Sequence, residues 1–167
     1  MSVPIKPKES QFTNSQWQAI YEQDSNILVS ASAGSGKTTV LVERVIEKIK
    51  SGISVDELLI VTFTESAARE MKQRIEVVLK ELIQMETGEK RNYFLRQLAL
   101  LPMANISTIH AFCLGVIQRY YYLIGLDPQF RLLTDETEKL LLQEEVWANL
   151  REKFYEEEDF KKLTDNF

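Results

Sequence analysis

Cysteine and histidine are nearly absent from this 167-residue chain, which holds one of each, Cys113 and His110. A single cysteine cannot close an internal disulfide, so the fold must stand on packing alone, as suits a reducing cytosol. The same scarcity excludes a zinc cluster, which needs several Cys or His ligands at fixed spacing. No apolar run nears the roughly 18 residues of a membrane span. The opening "MSVPIKPKESQF" carries no apolar segment fit for a secretion signal. The expectation is a cytoplasmic protein with no membrane partner. Excess positive charge is missing too: the formal net charge is −5. It is unevenly spread. Residues 1–133 carry 15 basic and 14 acidic side chains, net +1, and residues 134–167 carry 5 and 11, net −6. Overall charge therefore gives no support for a polyanion partner, and any such case rests on particular residues.

What is present is a chain rich enough in apolar residues, 44%, to bury a real core. Residues 1–11 read as a flexible leader with alternating charge. "FTNSQWQAIYE" then starts a helix, with Thr13 as N-cap and Gln16 completing a capping box. "NILVSA" (26–31) reads as a short buried strand. A helix follows over about 38–50, with Leu41, Val42, Val45, Ile46 and Ile49 on its apolar face and Gly52 just past its end. "LLIVTF" (58–63) reads as a second strand, apolar throughout as in a parallel sheet covered on both faces. Thr64 caps a helix over about 65–86 that Gly88 ends. Its stripe is Ala67, Ala68, Met71, Ile75, Val78, Leu79 and Leu82. A shorter helix over 90–100 stops at Pro102. "ANIST" (104–108) is a third strand, and a helix from about His110 to Ile124 ends at Gly125. Residues 135–162 read as acidic amphipathic helix capped by Thr134, with Leu141, Leu142, Val146, Leu150 and Phe154 buried. Cys113 is expected as a small core filler, and Met71 and Tyr120–Tyr122 as packing.

Strands alternating with helices imply an α/β fold with a parallel sheet flanked by helices, followed by a helical segment. Right-handed crossovers put the strand C-termini along one rim, where ligands bind. Residues 32–38, 63–65 and 109–112 each follow a strand end and are expected to converge there.

Glycine is scarce, six in all, yet Gly34 and Gly36 stand together in "VSASAGSGKTTVL" (29–41). Set against the phosphate-loop pattern G-x-x-x-x-G-K-[ST], residues 31–38 read Ala-Ser-Ala-Gly-Ser-Gly-Lys-Thr, with Ala31 in place of the first glycine. The two glycines can take positive φ and let successive N–H groups curl around an anion. The following helix adds its N-terminal partial charge. Lys37 would then reach the β- and γ-phosphates of ATP, and the Thr38 hydroxyl would sit on Mg²⁺. The plainer alternative is a small-residue turn with an exposed lysine. It does not account for a strand entering and a helix leaving. For Gln16 two roles stay open: the cap partner already described, or an amide pairing with adenine N6 and N7.

Together these segments resemble the N-terminal motor part of superfamily 1 DNA helicases of the UvrD/Rep type. "FTNSQWQAI" is similar to their adenine-reading motif and "ASAGSGKT" to motif I. "IVTFTESAAREMKQRI" (60–75) is similar to motif Ia, and "ISTIHAFCLGVIQRYY" (106–121) to motif Ib. The resemblance covers nearly all of 12–133 in the right order. Ser32 stands where UvrD itself commonly has glycine, and "TFTESAA" lacks the usual Asn-Lys. "YYYLIGLDPQFRLLTDETEKLL" is similar to the A subunits of the AddAB (RexAB) helicase–nucleases of Gram-positive bacteria.

The resemblance implies a RecA-like sheet, with 12–133 as part of motor domain 1A and 134–167 as the start of an inserted helical subdomain. It implies ATP-driven 3′→5′ translocation on single-stranded DNA and processing of double-strand ends for recombinational repair, with a B-type partner subunit. For the residues it implies adenine contact at Gln16. Nucleotide or Mg²⁺ contact is implied at Ala31, Ser32, Ala33, Gly34, Ser35, Gly36, Lys37 and Thr38, with Lys37 and Thr38 in the catalytic roles. Single-stranded DNA contact is implied at Thr62, Phe63, Thr64, His110 and Phe112. Exposed aromatic rings can stack bases and hydroxyls can hold phosphates. The structural roles compete: Thr64 as a helix cap, Phe63 and Phe112 as core, His110 as a satisfied buried histidine.

The family's Asp-Glu pair after a later strand, its arginine fingers and the nuclease carboxylates have no counterpart in the sequence. Asp135-Glu136 follows only a short apolar run and reads as a helix start. The expectation is a fragment of a longer protein that alone neither hydrolyses ATP nor unwinds DNA. Two other classes are open: a phosphate-loop kinase, which needs an acceptor pocket and an Arg-rich lid, and a non-catalytic interaction module.

Overall fold

A computed structural model of the chain describes residues 3–23, 25–32 and 34–155. The chain divides into two compact units, residues 1–119 and 120–167.

The first unit opens with helix α1 (Asn14–Tyr21). The expected capping box is formed: the Thr13 hydroxyl accepts from the Gln16 N–H at 3.2 Å, and Gln16 Oε1 accepts from the Thr13 N–H at 2.8 Å. The leader is tied to this helix. Trp17 Nε1 donates to the Pro4 carbonyl at 2.8 Å, and Lys6 Nζ to the Phe12 carbonyl at 3.1 Å. Helix α2 (Lys37–Lys50) starts directly from Gly36. Lys48 and Lys50 in its last turn suit the negative end of the helix dipole, and Gly52, at φ +101°, turns the chain out.

Strand β1 (Leu59–Thr62) leads to α3 (Glu65–Met85), capped by the Thr64 hydroxyl, which accepts from the Ala67 N–H at 3.1 Å. Then come α4 (Gly88–Leu100), a 3-10 turn holding Pro102, strand β2 (Asn105–Thr108) and α5 (Ile109–Tyr120). Gly88, expected to end α3, is instead the first residue of α4, at φ +61°. β1 and β2 pair in parallel, Thr62 opposite Thr108, as the α/β reading requires.

One core holds these elements together. Val42, Val45, Ile46 and Ile49 of α2 meet Ile60, Ile106, Met71, Ile75, Leu79 and Phe94. A second cluster joins Ala19 and Ile20 of α1 to Val40 of α2. Val40 thus takes the buried place that the helical pattern gave to Leu41, because α2 is packed on two sides and α1 covers the Val40 side. Gln97 of α4, 1% exposed, accepts from the buried Val55 N–H at 2.8 Å and so fixes the turn (Val55–Glu57) before β1.

The sheet and its surroundings correct further expectations. The sheet among the described residues has two strands, so a phosphate-loop sheet flanked by helices is not seen. Residues 26–31 form no strand. β1 and β2 pair with each other, 26–31 finds no ladder partner, and Leu28 is 95% exposed. A run of apolar residues becomes a strand only where another strand satisfies its backbone. The sheet is also not covered on both faces. Ile60 and Ile106 face the core, whereas Leu59 and Val61, on the alternate face, are exposed. Cys113 is exposed, since α5 buries no residue.

The second unit holds a 3-10 turn (Tyr121–Ile124) ended by Gly125, and helix α6 (Glu136–Phe154). Asp135, not Thr134, caps α6: its carboxylate accepts from the Thr137 N–H at 2.8 Å, and an anion there also suits the helix N-terminus. Arg131 forks onto the Glu138 carboxylate. That hydrogen bond first, opposed by desolvation and aided by the guanidinium's charge, holds Glu138 below the usual carboxylate range. The expected apolar side of α6 is not buried. Leu141, Leu142, Val146 and Leu150 are exposed, because no described element covers them. Tyr120 and Tyr122, expected as packing, are exposed as well. The expected run of helix to residue 162 falls outside the described residues.

Candidate functional site

The loop before α2 has the backbone that its glycines permit. Gly34 lies at φ +78° and Gly36 at φ +81°, a region L side chains enter at a cost of roughly 1–2 kcal/mol. No side chain caps α2, and its first internal backbone bond runs from the Val40 N–H to the Gly36 carbonyl at 3.0 Å. The N–H groups of the first helical turn are therefore left aimed out of the helix end, with the positive end of the dipole behind them. A side-chain acceptor would normally occupy that end. Its lack, beside a lysine, makes the end a fit for an oxyanion.

Lys37 bends back over the loop. Its Nζ donates to the Ala31 carbonyl at 2.8 Å and to the Ser32 carbonyl at 2.7 Å. An ammonium carries three donors, so one is left to turn toward a ligand. Thr38 follows in the first turn of α2 and is exposed. Ala33 lies outside the described residues.

Gln16 reaches this loop from α1. Its Nε2 donates to the Ser35 carbonyl at 3.1 Å while its Oε1 accepts from Thr13. Those partners fix the amide orientation, since a backbone N–H can only donate and a carbonyl can only accept. One N–H and one lone pair stay free on the amide. That is the pattern complementary to adenine N7 and N6. The capping and base-reading roles are thus compatible in one side chain. A cleft of about 800 Å³ opens between α1 and residues 25–31, lined by Gln16, Ala19, Ile27, Val29, Ala31, Ser35, Lys37 and Val40. At the far end of α1, the Tyr21 phenol is pushed above its ordinary value by burial first, then by Glu47 and Glu43.

The second grouping sits at the C-terminal end of the two strands. Thr62 and Thr108 are register partners, so residues 63–65 and 109–112 leave the sheet side by side. Phe63 is fully exposed, at 103%, and His110 is exposed, which removes the core role for the first and the buried role for the second. Phe112 is half-buried. The Thr62 hydroxyl donates to the Thr64 carbonyl at 3.0 Å. Thr64 uses its oxygen to cap α3 and keeps its own proton for donation. Of the three segments expected on one rim, these two meet; the loop groups with Gln16 instead, and the strand meant to deliver it is not in the sheet.

Two contributors escaped the sequence. Arg44 of α2 donates to the Ala19 and Ile20 carbonyls at 2.7 and 3.3 Å, clamping the C-terminal end of α1. Nothing in a helical pattern marks one surface arginine as a clamp. The Thr108 hydroxyl accepts from the Ala111 N–H at 3.2 Å and starts α5 as Thr64 starts α3. The repeated order of strand, threonine and helix was the available signal.

Residues 12–167 match the UvrD/REP helicase N-terminal domain, and the chain belongs to that family. Among its relatives is the A subunit of the ATP-dependent helicase/nuclease of Enterococcus faecalis, 64% identical over 99% of this chain. Proteins of the same name from Ligilactobacillus salivarius and Anoxybacillus flavithermus are 58% and 53% identical over 93% and 97% of it. The chain spans about 13% of the length of each of these relatives.

Proposed function

We propose that this chain is the part of an ATP-dependent helicase/nuclease, in its A-type component, that begins the nucleotide site. The observation that carries this is the grouping of the Gln16 amide, the Gly34–Gly36 bend, Lys37 and the uncapped start of α2 around one cleft. Gln16 selects adenine by the free N–H and lone pair of its amide. The loop N–H groups and Lys37 hold the phosphates, and the Thr38 hydroxyl holds Mg²⁺. When bound, ATP·Mg²⁺ supplies the phosphoryl chemistry; this chain's residues bind and orient it.

The exposed end of the sheet takes single-stranded DNA. Phe63 and His110 offer rings for stacking, Phe112 backs them, and Thr62 and Thr64 offer hydroxyls to phosphates. The whole protein translocates on single strands and processes double-strand ends for recombinational repair. It works in the bacterial cytoplasm with a B-type partner. The compartment accords with the finding that no helix among the described residues is long and apolar enough to cross a membrane.

The test is the ATPase activity of the full-length protein with and without single-stranded DNA. Stimulated turnover that Lys37→Ala abolishes is expected. Turnover unaffected by Lys37→Ala would overturn the nucleotide assignment.

A further inference from the structure

We infer that Gln16 is a positioning residue for the phosphate loop, acting whether or not a base is bound. The inference rests on the nucleotide assignment above. α1 is fixed onto α2 by two independent devices. Ala19 and Ile20 bury against Val40, and Arg44 holds their carbonyls. The loop itself has few ties among the described residues. The Ser35 N–H reaches the Ser32 carbonyl at a long 3.4 Å, Lys37 holds the Ala31 and Ser32 carbonyls, and the Val40 N–H holds that of Gly36.

Among the described residues, one hydrogen bond joins α1 to this loop: Gln16 Nε2 to the Ser35 carbonyl. Gly36 lies bedded against the same amide, where an added Cβ would stand 3.4 Å from Nε2. The capping box presets the amide, because Oε1 is already held by the Thr13 N–H. Gln16 therefore transmits the fixed position of α1 to the crest of the loop. Lys37 is the tie that a phosphate would compete for, since its donors serve the loop carbonyls and the ligand alike. Gln16 is the tie that persists, because its remaining N–H is free for a base while the first stays on Ser35. Pre-ordering the loop in this way lowers the cost of binding any triphosphate, with or without adenine.

The experiment uses the full-length protein and separates the loop from the base. Hydrogen exchange of the amides of residues 31–36 is measured without nucleotide, and affinities are measured for Mg·ATP and for Mg·tripolyphosphate, which has no base. For Gln16→Ala, loop exchange is expected to rise and tripolyphosphate affinity to fall, each by about 2- to 10-fold, as for one lost hydrogen bond. Thr13→Ala removes the hydroxyl cap but leaves both amide bonds of Gln16, so it controls for weakening of α1; loop exchange is expected to stay unchanged. If Gln16→Ala lowers ATP affinity alone, with loop exchange and tripolyphosphate binding unaltered, Gln16 only reads the base. The inference then fails and the nucleotide site stands. If the unaltered protein binds neither ligand, the nucleotide assignment fails and takes this inference with it.

Discussion

Phe63→Ala separates a residue that holds the fold from one that serves a ligand. Phe94, 5% exposed in the core, shows what truncation of a buried ring involves, a loss of about 3–5 kcal/mol. Phe63 follows β1 directly and reads in sequence like the last core residue of that strand. Its side chain nevertheless has no buried area to lose, at 103% exposure. The stability change expected on truncation is below about 0.5 kcal/mol. As a platform for one base, however, the ring contributes about 1–3 kcal/mol, or roughly 5- to 150-fold in affinity. Urea unfolding gives the first number. Anisotropy of a labelled oligothymidylate with the full-length protein, at one fixed ionic strength, gives the second. A loss of stability above about 2 kcal/mol would mean that Phe63 is buried in solution. DNA affinity unchanged within experimental error would remove Phe63 from the proposed strand path.

Gln97→Leu keeps the volume of the side chain but leaves the buried Val55 N–H without its acceptor; a loss of about 1–3 kcal/mol in urea unfolding is expected, and a neutral result would refute the role given to Gln97. Tyr93 donates to the Ile49 carbonyl at 2.9 Å and lies near that of Ile53, so Tyr93→Phe is expected to cost about 1 kcal/mol by the same measurement. Burial first, and Glu57 second, raise the Tyr93 phenol above its ordinary value of 10.0. The folded state thus favours the protonated phenol. Its contribution is whole below the unfolded value and is lost as pH rises through the folded one. Unfolding midpoints followed from about pH 9 to pH 11 should fall less steeply in Tyr93→Phe than in the parent protein.

The long helices were legible because their information is local. The α3 stripe from Ala67 to Leu82 is buried or half-buried as its spacing requires, and the caps at Thr13 and Thr64 form within four residues of chain. The loop was legible for a similar reason: two glycines, a lysine and a threonine at fixed spacing carry both its conformation and its charge. Burial that depends on a distant partner was not legible. Leu28 of the 26–31 run and Leu141 of α6 look like core residues, yet both are exposed because no described element meets them. Gln97 and Arg44 look like surface residues, yet one anchors a buried turn and the other clamps α1. The sequence alone thus determined where the long helices lie, the caps at Thr13 and Thr64 and the positive φ of the loop glycines, since neighbouring side chains and φ preferences set them. Only the tertiary structure decided that Gln16 lies over Ser35, that Phe63 stands clear of the core, and which apolar faces are covered. Those facts arise from contacts between residues far apart in the chain, and no local pattern encodes them.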